Sequence, residues 1–152
     1  MLDLILDRVA ETVEGIAPPT EADRPWKLYT GEMDEAPKVS ARERRFSLEV
    51  EPELQVVNRG PIGPFIHFVK KVAVVTAYPI GSNVLAWEKQ LHRDTDTLVF
   101  YLMQLANVTL GNAHLDAFLP TGDMDVEVDD DSADYAVVRL FFDCHYKLTF
   151  GS

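Results

Sequence analysis

One pattern near the end of the chain constrains the fold more than any other. Every second residue from 136 to 150 is apolar, in the order Ala136, Val138, Leu140, Phe142, Cys144, Tyr146, Leu148 and Phe150. The residues between them are of mixed polarity. An alternation with period two over about fifteen residues predicts a long β-strand with one wholly buried face. The chain must therefore contain a sheet with a covered apolar face.

The first half of the chain contains a helix and further strands. Residues 2–13 have apolar side chains at helical spacing, and Gly15 is expected to end this helix before Pro18 and Pro19. Residues 26–29 suit a short strand. Residues 45–51 alternate like a half-buried strand, and residues 65–78 form a β-branched and aromatic run typical of a central strand.

The middle of the chain returns to helical spacing between residues 84 and 107. Asp94 or Thr95 suits a second N-cap, so two consecutive helices are one interpretation of this segment. The polar, unpatterned residues 30–44 are expected to form a mobile loop.

These elements predict an α+β fold in a single domain over residues 1–152. We expect a mixed or antiparallel sheet with the N-terminal helix and the central helical segment packed on one face, plus an acidic C-terminal β-hairpin. The 152 residues are 47% apolar, which suits one domain with a sizeable core.

The charge is strongly acidic and unevenly distributed. The net charge is −11, and residues 123–152 contain 8 acids and 2 bases, whereas residues 61–122 contain 4 of each. Binding to a nucleic-acid backbone requires clustered Lys and Arg, so this class of partner is not expected. No apolar run approaches the ~20 residues of a membrane helix. The single cysteine indicates a cytosolic origin without a disulfide framework.

The most acidic stretch is "GDMDVEVDDDSADY", residues 122–135. Seven of its fourteen residues are acidic: Asp123, Asp125, Glu127, Asp129, Asp130, Asp131 and Asp134. An EF-hand loop that started at Asp123 would need Gly at its sixth position, which is Val128, and Glu at its twelfth, which is Asp134. We therefore predict a hairpin instead, with its valines facing the core and its acids facing water.

No other motif predicts a catalytic, metal or cofactor site. "HRDTD", residues 92–96, resembles the start of a kinase catalytic loop, but Val99 stands where that loop needs Asn, so a helix N-cap is the better interpretation. The histidines are far apart along the chain and form no ligand-spaced cluster. Cys144 lies on the apolar face of the last strand, where we expect a buried, inert thiol.

In the order of its predicted elements and in the residue patterns within them, the chain resembles the tail terminator family of long-tailed bacteriophages. The segments that carry the resemblance are "RRFSLEV", "FVKKVAVVTAYP", "LHRDTDTLVFYLMQLAN" and "YAVVRLFFDCHYKLTF". The resemblance implies an α+β subunit of a hexameric ring that caps the tail tube, stops its growth and offers a docking surface to the head-side connector. It implies no active site and no cofactor. DNA would pass through the ring without specific binding, in a virion assembled in the host cytoplasm.

Within such a ring we expect two kinds of surface. The seven acids of residues 122–135 are predicted to lie at the lumen or the tube-facing rim, where like charge repels DNA phosphates. Contacts with a neighbouring subunit or the tube are predicted at Arg42, Arg44, Arg45, Val137, Arg139, Phe141 and Lys147. For Phe141, burial beneath another element is an equal alternative.

Three other functions remain open on the sequence. The first is another neck, connector or tail tube ring subunit. The second is an acidic DNA mimic that inhibits a DNA-binding enzyme, which would bind a basic partner with steep salt dependence. The third is a small enzyme, which would require a pocket with convergent polar groups.

Overall fold

A computed structural model describes residues 2–19, 24–29, 44–57, 65–80, 84–128 and 135–149. Two helices and six strands follow each other in the order α1 (Leu2–Glu14), β1 (Lys27–Leu28), β2 (Arg45–Val56), β3 (Phe65–Pro79), α2 (Val84–Leu102), β4 (Val108–Leu110), β5 (Ala113–Val128) and β6 (Tyr135–Thr149). Four strand regions expected from the sequence, at residues 26–29, 45–51, 65–78 and 136–150, are all present. Residues 30–43 of the loop expected at residues 30–44, and the turn between β2 and β3, lie outside the described residues.

The six strands form one curled sheet in the order β1-β2-β3-β6-β5-β4. β1 runs parallel to β2, and all other neighbouring pairs are antiparallel. The α+β class with a mixed sheet is thereby confirmed. β3 and β6 lie at the centre and pair over their whole lengths, from Phe65 opposite Thr149 to Pro79 opposite Tyr135. Their apolar alternation explains this position, because only a central strand is buried over so long a run.

The main core lies between the helices and one face of the sheet. α1 contributes Ile5, Val9 and Val13, which are fully buried and recur at helical spacing. From the sheet, Phe118 of β5 stacks on Phe142 of β6 with ring centroids 4.9 Å apart. Aromatic pairs at this distance contribute about 0.5–1.5 kcal/mol beyond their area burial. α1 ends at Glu14, and the Gly15 N–H still donates to the Glu11 carbonyl at 3.0 Å.

The central helical segment is one helix, not two. α2 continues from Val84 to Leu102 without a break. The side chains that suggested a second start make other contacts. The Thr95 hydroxyl lies 4.0 Å from the Met124 sulfur of β5. Asp94 is buried against other elements and caps nothing. No helix in the described ranges is both long and apolar enough to cross a membrane.

Candidate functional site

The acidic end of β5 protrudes from the core; we refer to residues 123–128 as the acidic arm. Met124, Val126 and Val128 lie on the same face of the sheet as the helices, opposite Leu140, Val138 and Ala136 of β6. They are nevertheless 37%, 42% and 43% exposed. The prediction that the valines of this hairpin face the core is therefore wrong. Both faces of the arm are exposed to solvent.

Two features of β5 account for this exposure. The register with β6 shifts between Pro120 and Met124, where Gly122 adopts a φ of 89° that favours glycine. The Asp123 N–H donates to the Thr121 hydroxyl at 3.1 Å, which holds the bend. α2 touches the arm only weakly, with Thr95 Oγ1 4.0 Å from the Met124 sulfur. Beyond this irregularity α2 therefore covers little of β5, although its Leu91 still packs on Val138 of the neighbouring strand β6.

The arm also lies at an edge of the sheet. β4 pairs with only three residues of β5, at Ala113, His114 and Leu115. From Asp116 onward, β6 is the only strand partner of β5 among the described residues. The outer backbone groups of β5 are thus not paired in the described sheet. Charged side chains at an exposed edge prevent uncontrolled pairing with other strands.

The acids of the arm differ in their partners. Asp123, Asp125 and Glu127 are all exposed. The Glu127 carboxylate forms an ion pair with the Arg139 guanidinium at 3.2 Å. The same guanidinium forms a second ion pair with Glu49 of β2 at 2.9 Å. These contacts raise the pKa of Arg139, the hydrogen bond to Glu49 contributing most. The remaining predicted acids lie outside the described residues: Asp129, Asp130, Asp131 and Asp134.

The predicted contact residues on β6 are less available than expected. Val137 is only 2% exposed and packs with Ala73 and Val75 of β3, so the expectation that it is exposed is wrong. Phe141 is half-buried against this cluster, which agrees with the alternative of burial. Both belong to a small second core on the sheet face opposite the helices. Val137 and Phe141 are buried on this face because apolar residues of the neighbouring strand β3 pack against them.

The two basic contact residues of β6 are engaged within the subunit. Arg139 bonds Glu49 and Glu127, as described above. Lys147 Nζ lies 3.3 Å from the Asp116 carboxylate, which also lies 3.0 Å from His67 Nε2 and 3.6 Å from His114 Nε2. Asp116 occupies a register shift of β5, which turns its carboxylate toward these three neighbours. No local pattern in the sequence predicted this cluster, because its residues come from three different strands.

The cluster around Asp116 is a polar network of the sheet surface. His114 is additionally held by a 2.9 Å hydrogen bond between its Nδ1 and the Thr109 hydroxyl. Across the described ranges, no group of three or more His, Cys, Asp or Glu side chains is arranged to hold a metal ion. Cys144 is fully buried, and burial raises its pKa to about 12, so the thiol stays protonated and inert at neutral pH.

A buried ionic knot joins the start of β2 to α2 and β3. The Arg44 guanidinium donates to Asp94 Oδ1 at 3.0 Å, and the Tyr78 hydroxyl donates to Asp94 Oδ2 at 2.9 Å. The Arg44 and Asp94 side chains are only 5% and 3% exposed. Burial raises the pKa of Asp94, against the opposing effect of Arg44 and the Tyr78 hydroxyl. Burial next to Asp94 likewise raises the pKa of Tyr78 well above its ordinary value.

Arg44 therefore departs from its sequence prediction. It was expected in a mobile loop and at a contact surface, but it is buried and fixed by Asp94. Its guanidinium also lies 3.5 Å from the centre of the Trp26 ring, in cation–π contact. Arg45 remains partly accessible and lies over the Tyr29 ring at 5.3 Å. Arg42 lies outside the described residues.

Next to this knot lies a basic cleft of about 470 Å³ at the β1 edge of the sheet. We define it by its lining residues, Glu14, Arg24, Pro25, Trp26, Lys27, Arg44 and Arg45. Four of the seven are cationic, in a chain with a net charge of −11. The sequence predicts contact residues at Arg42, Arg44 and Arg45, but no pattern in it singles out Arg24 or Lys27. The parallel pairing of Lys27 with Arg45 brings the two segments together.

Comparisons with known proteins place no constraint on this site. No protein-family model matches the chain, and no curated protein matches it either.

Proposed function

We propose that this protein is a structural subunit of a bacteriophage virion, of the tail terminator type, and not an enzyme. In this proposal, copies of the chain form a ring, of six subunits by the resemblance. The ring caps the tail tube, stops its growth and joins the tail to the head-side connector. It would lie at the head-proximal end of the tail in the virion.

The observation that carries the proposal is a sheet with two largely unpaired edges. At one edge, β1 pairs with only Arg45 and Phe46, so among the described residues most of β2 has β3 as its single strand partner. At the other edge, within the same described ranges, β5 is paired on one side only from Asp116 onward. These two edges lie toward opposite ends of the strand order. A closed ring requires two different complementary surfaces on each subunit, so this arrangement suits head-to-tail association.

The acidic arm fits the passage of DNA through such a ring. Its exposed carboxylates would repel DNA phosphates if the arm lies at the lumen or at the rim that faces the tube. A ring structure with the arm on the outer circumference would contradict this placement. The arm would then serve another contact.

A DNA mimic is the second candidate, because the arm presents exposed acids on a firmly paired strand. Asp123, Asp125 and Glu127 alternate along it, about 6.6 Å apart from each to the next at the usual rise of a strand. A mimic would bind a basic DNA-handling protein, with an affinity that falls steeply with salt. Another neck, connector or tail tube ring subunit is the third candidate, and it shares the two-edged sheet.

The decisive experiment measures self-association and binding to tail tubes. Light scattering gives the mass of the purified protein, and negative-stain microscopy shows its shape alone and with isolated tail tubes. We expect a ring of about six copies, free or on the tube ends only. An unrelated protein of similar acidity serves as the control for non-specific binding. A monomer that ignores tube ends and binds a basic DNA-handling protein would overturn the proposal in favour of mimicry.

A further inference from the structure

We propose that the basic cleft of one subunit receives the acidic arm of the next copy of the chain. The inference rests on the proposed ring and names the contact that would hold it together. Its partner is a second copy, which is recognised through carboxylates on a strand whose outer edge has no partner in the described sheet. The residues that we assign to the contact are Arg24, Lys27 and Arg45 in the cleft, and Asp123 and Asp125 on the arm.

The cleft concentrates positive charge where the protein is otherwise acidic. Arg24 and Lys27 are exposed and Arg45 is half-buried, whereas Glu14 is the one acid among the described residues of the lining. Arg44 forms part of the wall and keeps its own partner, Asp94. The cleft is thus a cationic site whose exposed charges, Arg24 and Lys27, can reach a partner.

The arm has the complementary properties. Its outer edge has no strand partner in the described sheet, and its carboxylates are exposed. Glu127 is already bonded to Arg139, so Asp123 and Asp125 carry the charge that is available for a partner. Residues 122–135 contain seven acids in all. When Asp123 and Asp125 dock against the cations of a cleft, the other acids of residues 122–135 are not used by this contact. They can then still face the lumen or the rim of the ring.

The sheet places the cleft and the arm at the same level on opposite edges. One transverse row of paired residues runs through Leu28, Phe46, Thr76, Val138 and Val126. It crosses five strands, which corresponds to about 19 Å at four strand spacings. A neighbour that places its arm at this cleft is displaced mainly across the strands and little along them. A head-to-tail contact of this kind forms a ring when the rotation between neighbours closes.

The same charges oppose the competing ways of pairing. Two arms side by side would bring Asp and Glu opposite Asp and Glu, which is destabilising in neighbouring strands. Pairing of two β2 edges would likewise bring Glu49, Glu51 and Glu53 near each other. Association of an arm with a cleft is the arrangement that joins unlike charges. The acids thus select a head-to-tail contact over a symmetric one.

Charge reversal tests the contact directly. In the cleft variant, Arg24→Glu and Lys27→Glu are combined; in the arm variant, Asp123→Lys and Asp125→Lys are combined. We expect each variant alone to lose self-association by at least about tenfold in sedimentation velocity, since charged pairs across interfaces are coupled by more than 1.4 kcal/mol. In a mixture, the acidic cleft of the first variant can receive the basic arm of the second, and the unchanged arm of the first can enter the unchanged cleft of the second. The mixture should therefore associate again.

Matched controls separate this contact from general charge effects. Lys89→Glu changes an exposed lysine of α2 outside the cleft, and Asp7→Lys changes an exposed acid of α1. Both should associate like the wild type. Circular dichroism of every variant verifies the fold. Raising the salt concentration should weaken the wild-type contact, because the groups involved are exposed.

Three results would overturn the inference: unchanged association of both reversed variants, no recovery in their mixture, or a wild type that stays monomeric at its highest soluble concentration and on tube ends. Negative-stain counts of capped tubes distinguish this failure from failure of the proposed function. If the reversed variants still cap tubes as rings, the function stands and the assigned contact is wrong. If the arm and the cleft associate, but neither the wild type nor any variant binds tubes, the contact stands and the tail function is wrong.

Discussion

Replacement of Asp94 by alanine should reveal how strongly the buried knot holds α2 to the sheet. The change removes the partner of the Arg44 guanidinium and the acceptor of the Tyr78 hydroxyl, both of which are buried. Breaking a buried ion pair by removing one partner costs about 3–5 kcal/mol. An unsatisfied buried hydroxyl costs about 1–3 kcal/mol, partly included in the first figure. We therefore expect Asp94→Ala to lower the free energy of unfolding by about 4 kcal/mol.

Urea unfolding measures this difference. The fluorescence of Trp26 is a suitable probe, because the Arg44 guanidinium lies 3.5 Å from its ring. In thermal unfolding the same loss corresponds to a decrease in Tm of about 8–16 °C for a domain of this size. The slope of the urea transition should stay unchanged, because the mutation leaves the size of the core as it is.

Two further variants define the reason for the loss. Asp96→Ala changes an exposed acid two residues away on the same helix and should stay within about 0.5 kcal/mol of the wild type. The double variant Arg44→Met, Asp94→Leu removes both charges and should be more stable than Asp94→Ala alone, because it leaves no unpaired charge in the core. A loss below about 1 kcal/mol for Asp94→Ala, or a double variant less stable than the single one, would refute this reasoning.

Three further predictions concern residues on the helix-facing side of the sheet and are tested by the same unfolding measurement. Phe118→Ala should cost about 3–5 kcal/mol, because it empties a fully buried site and removes the stack on Phe142; a cost below about 1 kcal/mol would contradict this packing. Val126→Ala should change stability by less than about 0.5 kcal/mol, whereas Val138→Ala, directly opposite on β6, should cost about 2 kcal/mol; equal effects would contradict the exposure of the arm. The Cys144 thiol has a pKa raised from 9.0 to about 12, so its stabilising contribution is complete below pH 9.0 and is lost as pH rises toward 12. The stability difference between wild type and Cys144→Ala should accordingly shrink over that interval, and a constant difference would exclude the shift.

The strands were predictable because their signal is local. Alternation with period two identified β6 in residues 136–150 and β2 in residues 45–51, and a β-branched and aromatic run identified β3. The N-terminal helix and its end after Glu14 followed from apolar spacing and Gly15. Each of these patterns depends on neighbours along the chain, which the sequence displays directly.

The mistakes concern residues whose partners are distant in sequence. Asp94 looked like a helix cap, but Arg44, fifty positions away, binds its carboxylate inside one continuous helix. Val126 looked like a core residue by alternation, but the register shift before Met124 carries it beyond the helices. Alternation states which residues share a face of a strand. It does not state whether anything covers that face.

The sequence by itself determined the class of the fold, the positions of most strands and the inert character of Cys144. The tertiary structure alone decided which charges meet. Pairing of β1 with β2 gathers Arg24, Lys27 and Arg45 into one cleft, and the order of the strands sets this cleft and the acidic arm at opposite edges. The physical reason is that strand order and register are fixed by contacts between segments far apart in the chain, whereas periodicity and propensity act only between near neighbours.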